Sequence, residues 1–110
     1  IASKRLKTAK DFMNQANHDS FFEEIEKSLW GYFADKFKVE IANLSKESIE
    51  IYFNTYKIDD KTKSHFIELI STCEIARYSP LSNKIEQMSN VLIEAEKIII
   101  NVEEKLKWKK

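Results

Sequence analysis

The sequence predicts an all-α fold: a single-domain bundle of about five helices with a long C-terminal helix. Three observations carry this. The 110 residues contain one glycine, Gly31, and one proline, Pro80, whereas sheets joined by tight turns draw on several of each. Apolar residues recur at steps of three and four along most of the chain, the spacing of one helical face. Polar N-cap candidates and Pro80 divide that pattern into five segments. The length suits one domain, and 43% hydrophobic with 33% charged residues is the composition of a chain that folds.

The first segment, about 2–16, places Leu6, Ala9, Met13 and Ala16 on one stripe with Phe12 beside it. Asn17-His18-Asp19-Ser20 reads as a break rich in N-cap candidates, with His18 in the loop. The second segment, about 20–37, opens with Glu23, Glu24 and Glu26, which favour the helix dipole. Ser20 with Glu23 matches a capping box. Phe22, Ile25, Leu29, Tyr32 and Phe33 form its face, and Phe21, Trp30 and Phe37 widen it. This most aromatic segment is the expected core element. Gly31 in its middle costs about 1 kcal/mol against alanine, which the close approach of another helix would explain.

Residues 38–44 form a connector, briefly extended at Val39-Glu40-Ile41. Ser45 caps a third helix, about 46–56, with Ile49, Tyr52 and Phe53 inward. Asp59 caps a fourth, about 60–78, whose stripe is Phe66, Leu69, Ile70, Cys73 and Ala76. Pro80 ends it and biases Ser79 away from helical geometry. In the fifth, about 82–107, Ile85, Met88, Leu92, Ala95, Ile99, Val102 and Leu106 form a heptad seam. Ile98 and Ile100 flank and broaden it. At about 1.5 Å per residue this helix runs roughly 39 Å, long against the radius of gyration of about 13 Å expected for such a domain. The seam therefore has two readings: packing within the bundle, or an overhanging end that meets a second copy.

Charge and chemistry narrow the function. Lysine plus arginine balances aspartate plus glutamate at 18 each, which weakens a nucleic-acid reading that needs a basic footprint. The ends are locally basic, through Lys4, Arg5, Lys7 and Lys10 and through Lys105, Lys107, Lys109 and Lys110. No apolar run approaches the roughly 18 residues of a membrane span, and no signal peptide is visible. A start at Ile1 is expected of a piece of something longer, with any span or signal outside it.

Cys73 is alone, so no internal disulfide forms, as suits a reducing compartment. His65, eight residues before it on one helix, lies about 12 Å away along the axis and out of reach; His18 stays open as a partner. A lone cysteine on an apolar stripe packs as a small hydrophobe. One cysteine and two scattered histidines fall short of a zinc site. Neither histidine completes a Glu-x-x-His di-iron motif, and one glycine makes no phosphate loop. Glu23, Glu24 and Glu26 read as a helix start rather than an acid/base set. Trp30, Tyr32 and Phe33 read as core rather than as a base-stacking platform. Arg77, beside Tyr78, is either a cation at a helix C-terminus or a bridge to Glu24 or Asp35 on the second helix. No catalytic residue, cofactor or metal is expected.

Two stretches resemble a known family. Phe22-Glu23-Glu24-Ile25-Glu26-Lys27-Ser28-Leu29-Trp30-Gly31-Tyr32-Phe33-Ala34-Asp35-Lys36-Phe37 and Cys73-Glu74-Ile75-Ala76-Arg77-Tyr78-Ser79-Pro80 are similar to the C-terminal region of BatD-type aerotolerance proteins. The resemblance spans roughly 4–80, and the Cys-Glu-x-Ala-Arg-Tyr-x-Pro segment is its more specific part. Ser28 stands where alanine is expected, and the fifth helix carries no family motif. The resemblance implies a signal peptide, extracytoplasmic β-sandwich domains, one membrane span and a helical cytoplasmic tail, encoded beside MoxR-type ATPases and von Willebrand A-domain membrane proteins. It attaches no enzymatic activity to the tail. Ile1 would then follow the span, with the first basic residues as its positive-inside flank.

The expected function is a non-enzymatic protein-interaction or scaffold domain at the cytoplasmic face of the bacterial inner membrane. Its partners would be those neighbouring proteins, or a second copy through the fifth helix. Trp30, Arg77, Tyr78, Asp35, Glu24, Leu92, Ile99, Val102 and Leu106 are the structural or interaction candidates. The alternatives are a small thiol-dependent enzyme or redox protein using Cys73, and a helical nucleic-acid-binding domain.

Overall fold

A computed structural model describes residues 6–76, 78 and 81–107, the side chains of 81–85 and 107 excepted. The described residues form an all-α bundle of five α-helices: α1 (Lys7–Asn14), α2 (His18–Phe37), α3 (Lys46–Thr55), α4 (Asp60–Ala76) and α5 (Leu81–Lys107). In the α2–α3 connector Glu40 is extended, as expected, and a short 3-10 turn, Ile41–Asn43, begins where Ile41 was expected to continue that stretch. α2 lies at the centre and packs against α1, α4 and α5; α4 also packs against α3 and α5.

Two helix starts, those of α3 and α4, follow the caps expected of them. Ser45 caps α3: its Oγ accepts from the Ser48 N–H at 3.1 Å, and the Ser48 hydroxyl oxygen accepts from the Ser45 N–H at 2.9 Å. Asp59 caps α4 through the Thr62 N–H at 3.1 Å. α2, however, begins at His18, with Asn17 at its N-cap position and no side-chain cap bond. Ser20 is already inside the helix, so the expected Ser20–Glu23 capping box does not form and His18 is not a loop residue. The cause lies in the preceding turn. Ala16 takes a φ of 56°, the Asn17 N–H donates to the Phe12 carbonyl at 2.9 Å, and the Ala16 N–H donates to the Met13 carbonyl at 3.1 Å. This 6→1 and 5→2 pattern is a Schellman ending, and it delivers the chain straight into α2.

α2 and α3 end in a similar way. Lys38 has a φ of 58° and Lys57 a φ of 59°. Val39 donates to the Ala34 carbonyl at 3.0 Å and Ile58 to the Phe53 carbonyl at 2.8 Å. Val39 and Ile58 are buried, the apolar contact that accompanies this motif. Each left-handed residue carries a Cβ where glycine would have none, at a cost of about 1 kcal/mol.

The core runs along α2. Phe21, Phe22, Ile25, Leu29, Tyr32, Phe33 and Phe37 are buried, as the segment's pattern predicts. Phe33 is the hub. Its ring centroid lies 5.1 Å from Phe37, 5.9 Å from Tyr52, 5.9 Å from Phe53 and 6.4 Å from Phe66. Phe53 and Phe66 meet edge to face at 5.4 Å. One ring thus joins α2, α3 and α4, in the offset geometries aromatic pairs favour.

The seam of α5 faces inward. Met88, Leu92, Ala95, Ile99 and Val102 are buried with Val91 and Ile98, and Leu106 is partly buried against them; Ile85 lies outside the described side chains. Ile100 does not broaden the seam. It is 50% exposed, because five residues beyond Ala95 at about 100° each place it roughly 140° round the helix. The overhang is not seen either. The molecule measures 42 × 25 × 24 Å, so a helix of about 40 Å fits its long axis. At its far end Val102 is buried, and Glu103 and Lys105 pair with Lys36 at 2.8 Å and Asp59 at 3.3 Å.

Two stability effects follow. Phe33→Ala lowers the unfolding free energy by about 3–5 kcal/mol in chemical denaturation, whereas Ile100→Ser stays within about 0.5 kcal/mol. Ala16→Gly raises stability by about 0.5–1 kcal/mol in the same assay, by removing a Cβ from a left-handed position.

Candidate functional site

The described residues of the segment Cys73–Pro80, which are Cys73–Ala76 and Tyr78, divide by direction. Cys73 and Ala76 are buried and complete the core of α4. Glu74, Ile75 and Tyr78 do not point inward. Glu74 Oε1 accepts from Lys46 Nζ at 2.9 Å, which ties the last turn of α4 to the first turn of α3. Ile75 is 67% exposed and Tyr78 87%. The Tyr78 N–H donates to the Ile75 carbonyl at 3.0 Å, so these two large side chains sit one turn apart at the end of the helix. Arg77, Ser79 and Pro80 lie outside the described residues, and with Arg77 lies the expected bridge to α2. Of its two candidate partners there, Glu24 is half-buried and Asp35 exposed.

A second cluster occupies the cleft between α4 and α5, lined by Asp59, Thr62, His65, Glu94, Asn101 and Lys105 among others. Asp59 Oδ1 accepts the Thr62 hydroxyl at 2.9 Å and lies 3.3 Å from Lys105 Nζ. His65 Nε2 meets Glu94 Oε1 at 2.9 Å, and Lys97 stands 3.6 Å from the other oxygen of Glu94. Partial burial pushes the Asp59 carboxyl up, but the hydroxyl and amide of Thr62 and the ammonium of Lys105 outweigh it and hold the carboxyl below its ordinary value. Asp59, Thr62, His65 and Glu94 each commit a polar atom to another residue of the chain. The cluster works as a clamp between two helices. Among the described residues, no three His, Cys, Asp or Glu are grouped to hold a metal ion.

The other predicted residues fall into two sets. Leu92, Ile99 and Val102 are buried and Leu106 partly so; their contacts are the bundle's own packing. Trp30 is half-buried and lines a shallow groove with Leu44, Glu23, Glu26 and Lys27. Ile41, 83% exposed, lies three residues before Leu44. Cys73 is in no disulfide and is fully buried, so its sulfur is shielded from solvent. No described helix is long and apolar enough to cross a membrane.

The clamp and the thiol each make a measurable claim. A depressed carboxyl contributes stability above its unfolded value of 3.8, and this is lost as pH falls through the folded value. Asp59→Asn, which keeps a cap but not the charge, therefore lies below the wild type in thermal stability at neutral pH, and the gap closes below about pH 4. Asp59→Ala loses the cap as well, by about 1 kcal/mol. Ellman's reagent labels Cys73 in the native state at least about a hundredfold more slowly than in denaturant, because labelling waits for opening.

Comparison with protein-family models, with curated proteins and with solved structures finds no match for this chain.

Proposed function

We propose that this chain is a non-enzymatic protein-interaction domain, the helical cytoplasmic tail of a BatD-like membrane protein, which holds components of one membrane complex together. The observation that carries the reading is the split character of the described residues of the Cys73–Pro80 segment, the stretch on which the family resemblance rests most specifically. Its inward residues, Cys73 and Ala76, serve the core. Its outward residues Ile75 and Tyr78 make an apolar pair at the end of α4 that is 67% and 87% exposed. Neither is needed to fill the bundle, and an aromatic beside an aliphatic is the composition of an interface centre. The partners that the resemblance points to are a von Willebrand A-domain membrane protein and a MoxR-type ATPase. Lys4, Arg5, Lys7 and Lys10 precede the first acid, Asp11, as a positive-inside flank does.

The test is a titration of the chain against the cytoplasmic parts of those two proteins from the same genome. The wild-type chain binds one of them, and the double variant Ile75→Glu, Tyr78→Ala binds at least about tenfold more weakly with its thermal unfolding unchanged. Absence of binding to both proteins, or equal binding by the variant, contradicts the proposal.

A further inference from the structure

Three residues, Gln15, Ala16 and Asn17, separate α1 from α2. The bonds that fold α1 back along α2 there are backbone bonds. Ala16 holds a φ of 56°. The N–H groups of Gln15, Ala16 and Asn17 donate to the carbonyls of Asp11, Met13 and Phe12 at 3.1, 3.1 and 2.9 Å. The residue types favour a different state. None of the three is glycine or proline, and glutamine and alanine are strong helix formers. In left-handed geometry the alanine Cβ crowds the following carbonyl.

This turn also lacks the anchor that its two counterparts have. Lys38 and Lys57 are left-handed as well, but each is followed by a buried residue, Val39 and Ile58, which supplies the apolar contact of the motif. Ala16 is followed by Asn17, which is exposed and whose side chain makes no cap bond to α2. What holds α1 down lies away from the turn. Leu6 and Ala9 are fully buried, and Phe12 and Met13 pack partly buried against the core. Lys10 stands 3.4 Å from Glu96 of α5. With 8 residues, α1 is too short to persist alone. Its place on α2 and α5 holds it, and its hinge opposes that hold.

The conflict has a definite resolution. With Ala16 right-handed, Lys7 to Phe37 becomes one helix of 31 residues, about 46 Å long. The carbonyls of Asn14, Gln15 and Ala16 then serve N–H groups in the first turn of α2. α1 is lifted from its site, and the α1 of a second copy, lifted in the same way, fills it. Two such chains are related by a two-fold axis, with their long helices antiparallel. Every contact that α1 makes is kept, because helix and site are the same in both copies. The closed and exchanged forms differ only at the two junctions and in the entropy of association.

We propose that Gln15–Asn17 is a hinge about which α1 exchanges between two copies of this chain. The product is a dimer in which α1 and α2 of each chain form one continuous helix. Self-association runs through α1, while the seam of α5 stays inside each bundle. The proposal goes beyond the interaction reading and does not rest on it.

The 110-residue chain is unfolded in denaturant and refolded at low and at high concentration, and its mass is read by light scattering. The wild type is monomeric at low concentration and forms a dimer at high concentration. Ala16→Gly lowers the dimer-to-monomer ratio at least about tenfold, since glycine favours the left-handed turn and weakens a helix running through it, at two junctions per dimer. Asn17→Ala raises the ratio several-fold, because it strengthens the fused helix and removes no side-chain cap bond. The exchange itself is read by co-refolding a Lys10→Cys chain with a Glu96→Cys chain and adding a short bis-maleimide, with Cys73 buried in both. The mixture gives a covalent heterodimer, and either chain alone does not. The Lys10–Glu96 pair is exposed enough that losing it changes little else. Monomer alone at both concentrations in the wild type and in Asn17→Ala overturns the proposal. So does a dimer equally abundant in Ala16→Gly, or one that gives no cross-link in the mixture.

Discussion

The bundle depends on one aromatic ring. Phe33 sits at a point where α2, α3 and α4 converge, with four other rings between 5.1 and 6.4 Å of it. α3 has 10 residues, too short to persist alone in water. It is held because Phe53 and Tyr52 lie against Phe33, while Phe66 brings α4 to the same point. Much of the rest is consequence. With α3 and α4 fixed, Lys46 can reach Glu74, and the final turn of α4 is set in place. The direction of Ile75 and Tyr78, on which the functional reading rests, follows from that placement.

α5 is the second constraint. Its seam closes the core along the long axis, and pairs on either side of the seam set its register: Lys10–Glu96 to α1, Lys36–Glu103 to α2, His65–Glu94 and Lys105–Asp59 to α4. Single exposed pairs of this kind contribute little stability each. Their effect is geometric, since each selects one rotation and one height of α5 out of several that an apolar seam alone would accept. Asp59 has a double duty, as the cap that starts α4 and as the acceptor for Lys105 at the far end of α5.

Much of this was legible in the sequence. The five segments, the aromatic character of α2, the caps at Ser45 and Asp59 and the apolar seam of α5 all follow from period and capping chemistry; what the seam packs against does not. The start of α2 did not, for a definable reason. Helix ends are read from glycine, and this chain ends α1, α2 and α3 with Ala16, Lys38 and Lys57 in left-handed geometry instead. At Ala16 the stop signal is a backbone conformation that the residue type does not announce, and Ser20 then looks like the first cap. Ile100 misled for a different reason: it is adjacent to the seam in sequence but not in angle. The overhang came from comparing a helix length with a radius of gyration, although an elongated bundle has a long axis well above twice that radius. The His65–Glu94 contact did leave a trace, because Glu94, Glu96 and Glu103 flank seam positions, where interhelical ion pairs gather. Which side chain meets which glutamate required the fold.

What joins sequence to function is the contrast between buried and exposed isoleucines. Ile25, Ile49, Ile70, Ile98 and Ile99 are fully or nearly fully buried, while Ile75, Ile93 and Ile100 are about half exposed or more. If the chain works by meeting other proteins, its outward isoleucines are reporters of that contact and its inward ones are not. Methyl NMR of isoleucine-labelled chain, titrated with the von Willebrand A-domain or MoxR-type partner, separates the two sets in one experiment. The account predicts that Ile75 shifts or broadens on binding, while the five buried methyls hold their positions. Unmoved resonances at Ile75, Ile93 and Ile100 in the presence of both proteins, or equal movement of the buried set, contradict it.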